Sequence, residues 1–243
     1  SGADYYLNIH VKTKEDSDWA KAGYEVAYAQ FTIDAKSTKV AHTLNGKNVQ
    51  IKKQSHYFIV SGKDFRFKLN LDTGLLESYY YKDQLLMKEG PKPNISRAKL
   101  DNDSSHFKDI MSYLTLDGEP TVGKSTDGNY MLTTKWNSSY LLDSKTKTPG
   151  TIEMSYLIED TGAVTVRMKL DFTKTKVKKF IKVGTRLSLA KGTENVSWYG
   201  NGDDESYCDR QTYTRVGAYT STVNKMFYPF AKPQDCGNLT GVK

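Results

Sequence analysis

Apolar and polar residues alternate along most of this chain with a period of two. Tyr5, Leu7, Ile9 and Val11 interleave with Tyr6, Asn8, His10 and Lys12. Phe65-Arg66-Phe67-Lys68-Leu69-Asn70-Leu71 repeats the pattern and runs into Asp72-Thr73-Gly74. Residues 154–158 and 164–170 do the same on either side of Asp160-Thr161-Gly162, and residues 185–189 add a further run. Successive side chains of a strand point to opposite faces, so each run predicts a half-buried strand, and the Asp and Gly residues between them predict tight turns. Helical spacing is scarce. Phe107, Ile110, Met111 and Leu114 predict one short helix over 107–114, with an apolar side. Many short strands at close spacing predict an all-β fold, a large antiparallel sandwich without internal repeats.

The first 34 residues stand apart. They read as two strands around a polar excursion from Lys12 to Gly23, and two strands alone do not bury their faces. Residues 1–34 therefore read as the tail of a neighbouring domain. Asp34 to Thr38 would be the linker, and residues 35–243 the main sandwich domain.

Composition narrows the class. The chain has 243 residues, enough for one large domain or one domain and part of another. With 37% hydrophobic and 26% charged residues it has the balance of an ordinary globular protein. No apolar run approaches the roughly 20 residues of a membrane helix, and Ser1-Gly2-Ala3-Asp4 lacks the basic and apolar regions of a leader. That start reads as the scar of a cleaved tag, which leaves native targeting open. The net charge of +7 invites a nucleic-acid reading, but the lysines are scattered. Their densest group, Lys174, Lys176, Lys178 and Lys179, reads as the wet face of a strand. Neither nucleic acid nor membrane is an expected partner. Two cysteines exclude a disulfide framework and a four-cysteine zinc site. Cys208 and Cys236 read as free thiols, with a pairing between them left open.

Candidate chemistry mostly dissolves on inspection. The two Asp-Thr-Gly tripeptides suggest an aspartic-protease pair, but each joins two alternating strands, where a turn is the simpler reading. Asp101-Asn102-Asp103 opens like a calcium loop, yet His106 and Ser112 stand where a glycine and a bidentate glutamate are needed. Asp203-Asp204-Glu205 reads as a solvated loop. Gly200-Asn201-Gly202 lacks the third glycine of a dinucleotide site. His10, His42, His56 and His106 show no ligand spacing, and His10 and His56 fit strand positions. No metal site and no catalytic constellation follows from the residues themselves.

Four stretches carry a resemblance. Trp198-Tyr199-Gly200-Asn201-Gly202-Asp203-Asp204-Glu205-Ser206-Tyr207-Cys208-Asp209-Arg210 resembles the signature W-Y-G-x-G-P-x-E-x-Y-x-D-R, with Asp203 in place of proline. Pro229-Phe230-Ala231-Lys232-Pro233-Gln234-Asp235-Cys236-Gly237-Asn238 resembles P-Y-x-x-P-Q-E-N-G-N, with Asp235 for glutamate and Cys236 for asparagine. Pro93 to Asp103, containing Arg97-Ala98-Lys99-Leu100-Asp101-Asn102-Asp103, resembles P-N-F-W-R-A-P-x-D-N-D. Trp19 to Ala27 followed by Gln30 resembles the end of an immunoglobulin-like domain. In this order they are similar to the C-terminal part of the β-galactosidases of glycoside hydrolase family 2.

The resemblance implies a galactose-mutarotase-type sandwich preceded by immunoglobulin-like strands. It places the catalytic glutamates of a retaining galactosidase on a TIM barrel ahead of this segment, so no catalytic residue is assigned to this chain. It implies that Asn102, Asp103, Ser104, Ser105 and His106 form a loop bordering the galactoside pocket. Arg97, Asp101, Asp103, Glu205, Asp209 and Arg210 are expected to form a buried mutual network pinning loops. Trp198, Tyr199, Gly200, Gly202, Tyr207, Pro233, Gln234, Gly237 and Asn238 complete the signature residues. The family's Mg and Na ions sit mainly on other domains, so no cofactor is expected here. Expected partners are the barrel and immunoglobulin-like domains of a parent chain, galactosides, and further copies in a homo-oligomer. The resemblance ends weakly at Leu239 and Gly241 and implies a C-terminal truncation. A bacterial cytoplasm or periplasm fits it as a location. The alternative reading is a free-standing galactose-binding or aldose-mutarotase-like domain, with His106 as the loop histidine.

Overall fold

The computed structural model describes residues 4–33, 45–98, 100, 103, 109–143, 145–202, 205–232, 237 and 239–243. The expected linker, Asp34 to Thr38, lies outside them.

A six-stranded antiparallel sheet forms the first layer of the sandwich. It comprises β3 (Gln50–Gln54), β4 (Tyr57–Ser61), β5 (Phe65–Asn70), β6 (Leu76–Tyr81), β7 (Gln84–Asn94) and β13 (Gly184–Leu189), in the order β13-β7-β6-β5-β4-β3. The second layer holds β8 (Leu114–Leu116), β9 (Thr121–Lys124), β10 (Tyr130–Ser138), β11 (Gly150–Ile158) and β12 (Val164–Asp171), ordered β12-β11-β10-β8 with β9 also on β10. The alternation seen in the sequence is what is buried. In β5, Phe65, Phe67 and Leu69 face the core while Arg66 and Lys68 face water. Val60, Leu76, Leu132, Trp136, Ile152, Met154, Tyr156 and Ile158 join them in one apolar cluster spanning both layers. Polar ties also cross between the layers: Tyr156 donates to the Pro91 carbonyl at 2.9 Å, and Tyr79 donates to the Gly162 carbonyl.

The turns follow local chemistry. Asn70 Oδ1 accepts from the backbone amides of Asp72 and Thr73, closing the first Asp-Thr-Gly turn. The second turn holds the sheet margin, where Asp160 accepts from the Asn48 backbone and carboxamide at 2.8 and 2.9 Å. Asp72 pairs instead with His56, at 2.8 Å. The two carboxylates thus serve different neighbours, and both tripeptides are turns.

Three sequence expectations need correcting. The short helix is a single 3₁₀ turn, Ile110–Tyr113, capped by Asp109, whose side chain accepts from Met111 N. His56 sits in the β3–β4 turn rather than in a strand. The Thr-Lys alternation at 173–179 is not a strand. Thr173 and Thr175 bond back to Asp171 and Phe172 and curl the chain, leaving one isolated bridge between Leu142 and Thr175.

Two hairpins lie outside the sandwich sheets. β1 (Tyr5–Lys12) pairs with β2 (Glu25–Ile33), and β14 (Asn195–Gly202) pairs with β15 (Arg215–Thr222), each antiparallel. The polar face of the β1–β2 hairpin meets β15. Gln30 donates to the Val216 carbonyl at 3.0 Å and accepts from the Val216 amide at 2.8 Å, so one carboxamide substitutes for a neighbouring strand. Glu25 bridges His10 at 2.6 Å and Arg215, whose guanidinium lies 3.7 Å from the centre of the Tyr28 ring. The other face of this hairpin carries Tyr5, Leu7, Ile9, Val11, Phe31 and Ile33, each 46–54% exposed.

Candidate functional site

Trp198, Tyr199, Gly200 and Gly202 of the signature lie on β14. Trp198 is buried, donates to the Asn201 carbonyl at 3.0 Å, and stacks on Tyr219 of β15 with centroids 5.4 Å apart. Gly202 is required by that stack, because a β-carbon there would lie 2.7 Å from the Tyr219 ring. Tyr199 points to the opposite side of the strand, beside Tyr6 of β1. Desolvation, followed by the neighbouring Tyr6 and Asp4, pushes the Tyr199 phenol up to about 12.

Two clusters of charged signature residues stand out among the described residues. In the first, Arg97 grips Asp103 with two bonds of 2.5 and 3.1 Å, with side chains only 9% and 12% exposed. The Asp103 carboxylate also accepts from Leu100 N at 2.8 Å, closing the turn. The Arg97 guanidinium, then the Leu100 amide, hold the Asp103 carboxyl below the usual carboxylate range. In the second group, Arg210 donates to Glu205 at 2.7 and 3.4 Å and to Asp209 at 3.0 Å. Tyr213 donates to the Glu205 carbonyl and Arg210 lies over the Tyr207 ring, so this group stitches together the connection from β14 to β15. A forked guanidinium–carboxylate pair fixes direction as well as distance, which suits both groups to holding loops.

Of the expected pocket loop, only Asp103 belongs to the described residues; Asn102, Ser104, Ser105 and His106 lie outside them, as does Asp101. Pro233, Gln234 and Asn238 also lie outside, while Gly237 adopts a left-handed φ of 58°. Cys208 is an exposed free cysteine, and Cys236 is not among the described residues. Among the described residues no three His, Cys, Asp or Glu side chains gather as metal ligands. No helix is long and apolar enough to cross a membrane.

Sequence reading missed one feature at this position. A cleft of about 390 Å³ opens where Tyr6, the Tyr199-Gly200-Asn201 stretch, Ser206, Gln211, Val216 and Thr240 meet. Its walls come from β1, β14, the loop before β15, β15 and the C-terminal segment, so no local motif announces it.

The class this fold defines is an antiparallel β-sandwich domain whose loops are pinned by ion pairs. Comparison with known proteins gives the family. Residues 61–243 match the β-galactosidase small chain, and residues 1–34 match domain 4 of β-galactosidase. The chain belongs to the β-galactosidase small-chain family. It is 26% identical to a β-galactosidase of Priestia megaterium over 99% of its own length, and 25% identical to one of Streptococcus thermophilus over 100%. A Vibrio cholerae β-galactosidase is 23% identical over 96% of the chain. The chain spans only 23–24% of the length of these relatives, which are much larger proteins.

Proposed function

We propose that this chain is a non-catalytic C-terminal domain of a retaining β-galactosidase of glycoside hydrolase family 2, a scaffold that contributes subunit contacts and one edge of the galactoside pocket. The observation that carries this reading is the β1–β2 hairpin. It matches domain 4, docks its polar face on β15, and leaves a continuous apolar face open. A two-stranded ribbon with one bare apolar face is a fragment of a larger core. The remaining strands of an immunoglobulin-like domain would cover it, with a catalytic barrel beyond them. The Arg97–Asp103 clamp would then serve as a positioning element, holding the adjoining loop toward the pocket.

The test is an assay of the chain alone and of a longer protein carrying a barrel and domain 4, with a chromogenic galactoside. The longer protein should hydrolyse it and the isolated chain should not. Turnover by the isolated chain at an enzymatic rate would overturn the reading. Arg97→Ala in the longer protein should raise KM for the galactoside more than it lowers kcat, as expected for a loop that borders substrate without touching the reacting atoms.

A further inference from the structure

The cleft between β1 and β14 has a composition that selects one kind of ligand. Tyr6, Tyr199, Asn201, Ser206, Gln211 and Thr240 supply two phenols, two carboxamides and two hydroxyls. No lining residue carries a charge; the Asp4 carboxylate, outside the lining, acts on the Tyr199 phenol. Neutral groups of this kind both donate and accept, which matches the ring of hydroxyls on a saccharide. An anion would find no counter-charge in the lining and would lose hydration on entry.

The walls are built rather than incidental. Thr240 donates to the Tyr199 carbonyl at 2.8 Å, and a β-carbon on Gly200 would lie 2.1 Å from Thr240 Oγ1, so the C-terminal segment is seated tightly on β14. Backbone pairing between Ser197 and Lys243, at 2.7 and 3.0 Å, continues that seating. Val216 is fixed on the far side by the Gln30 carboxamide. Ser206 is only 2% exposed and lines the cleft. The Ser206 hydroxyl and the carboxamides of Asn201 and Gln211 belong to lining residues and can each donate to or accept from a ligand. Tyr199 is 41% exposed, leaving its ring open to a ligand. The volume lies at the lower end of the roughly 300–1,000 Å³ typical of small-molecule sites.

We propose that this cleft is a binding site for a neutral mono- or disaccharide, at the junction of the domain-4 hairpin with the sandwich domain. A sugar there would bridge β1 and β14 and tie the two units together.

Galactose, lactose, glucose and maltose are titrated into the 243-residue chain and followed by backbone amide NMR shifts, with galacturonate as the charged control. Choosing galactose and lactose rests on the proposed function; glucose and maltose present the same chemistry without it. At least one neutral sugar should saturate, shifting the amides of residues 199–201, 206 and 211, while galacturonate binds more weakly or not at all. Asn201→Ala and Gln211→Ala should each weaken binding about fivefold, as the loss of one hydrogen bond implies. Tyr199→Phe keeps the ring and removes only the hydroxyl, giving a milder loss in a chain that still folds. His56→Ala, in a different part of the molecule, should leave affinity unchanged. Failure of every neutral sugar to saturate would overturn the proposal. So would saturation that the Asn201, Gln211 and Tyr199 variants leave intact, or equal binding of galacturonate. Because none of these readouts involves turnover, a negative result leaves the domain's place in a galactosidase standing.

Discussion

Single residues in this fold act mostly through what surrounds them. A β-carbon on Gly46 would lie 2.2 Å from the backbone oxygen of Ile158, whose strand is paired on both sides. Backbone there has no room to yield, so Gly46→Ala should destabilise the domain by about 1–3 kcal/mol, seen as a lower urea midpoint. Gly200 is crowded by a side chain instead, Thr240 Oγ1, which can rotate away. Gly200→Ala should cost less stability and act on the cleft by displacing the C-terminal segment. Tyr156 is fully buried, and its hydroxyl satisfies the Pro91 carbonyl across the layers. Tyr156→Phe removes that bond and should cost about 1 kcal/mol, with an unchanged denaturant slope.

At the level of elements, the loops and hairpins are held by ion pairs and amide clamps. The Asp103 carboxyl is held below its unfolded value, near 3.9, by Arg97 and the Leu100 amide. Its stabilising contribution is therefore complete above that unfolded value and disappears as pH falls through the lower folded one. Thermal melts across pH 2–6 should show an acid-side loss of stability that Asp103→Asn reduces, the variant being less stable than the parent only at the upper end. Identical acid limbs for the two proteins would contradict the clamp's role. The β1–β2 hairpin hangs on Gln30 and on Glu25 with His10 and Arg215. Gln30→Ala should loosen this hairpin alone, raising amide exchange in residues 5–12 and 25–33 while that of the sandwich core stays unchanged.

The whole molecule combines a well-filled sandwich with a hairpin whose apolar face is open. Six exposed apolar side chains in register on two strands make a surface that water disfavours. In the isolated chain that face should drive concentration-dependent association, measurable by light scattering. Leu7→Lys combined with Phe31→Lys, which replaces a cross-strand pair at its centre, should restore a monomer. In a longer chain bearing the rest of domain 4, the same double substitution should lower stability instead, because the face would then be interior. A monomer at every concentration in the isolated chain would show that this face is harmless in water.

What the sequence determined by itself was local. A period of two buries Phe65, Phe67 and Leu69 wherever their strand is placed, and Asp-Thr-Gly closes a turn from within its own few residues. Strand identity, the all-β class and the existence of a separate N-terminal hairpin all follow from such short-range rules. Local rules also misled where two of them compete. The Thr-Lys alternation at 173–179 has the period of a strand, but its hydroxyls capture nearby backbone groups first. The β6–β7 turn gave no signal because Lys82 and Asp83 both take positive φ, a conformation their side chains do not advertise. Only the tertiary structure decided the rest. It paired Arg97 with Asp103 and Glu205 with Arg210, and seated Gln30 on Val216, 186 residues away. It also drew the cleft from β1, β14, the loop before β15, β15 itself and the C-terminal segment. Strand periodicity records which face of a strand is dry, but which strands then lie side by side is chosen by burial summed over the whole chain.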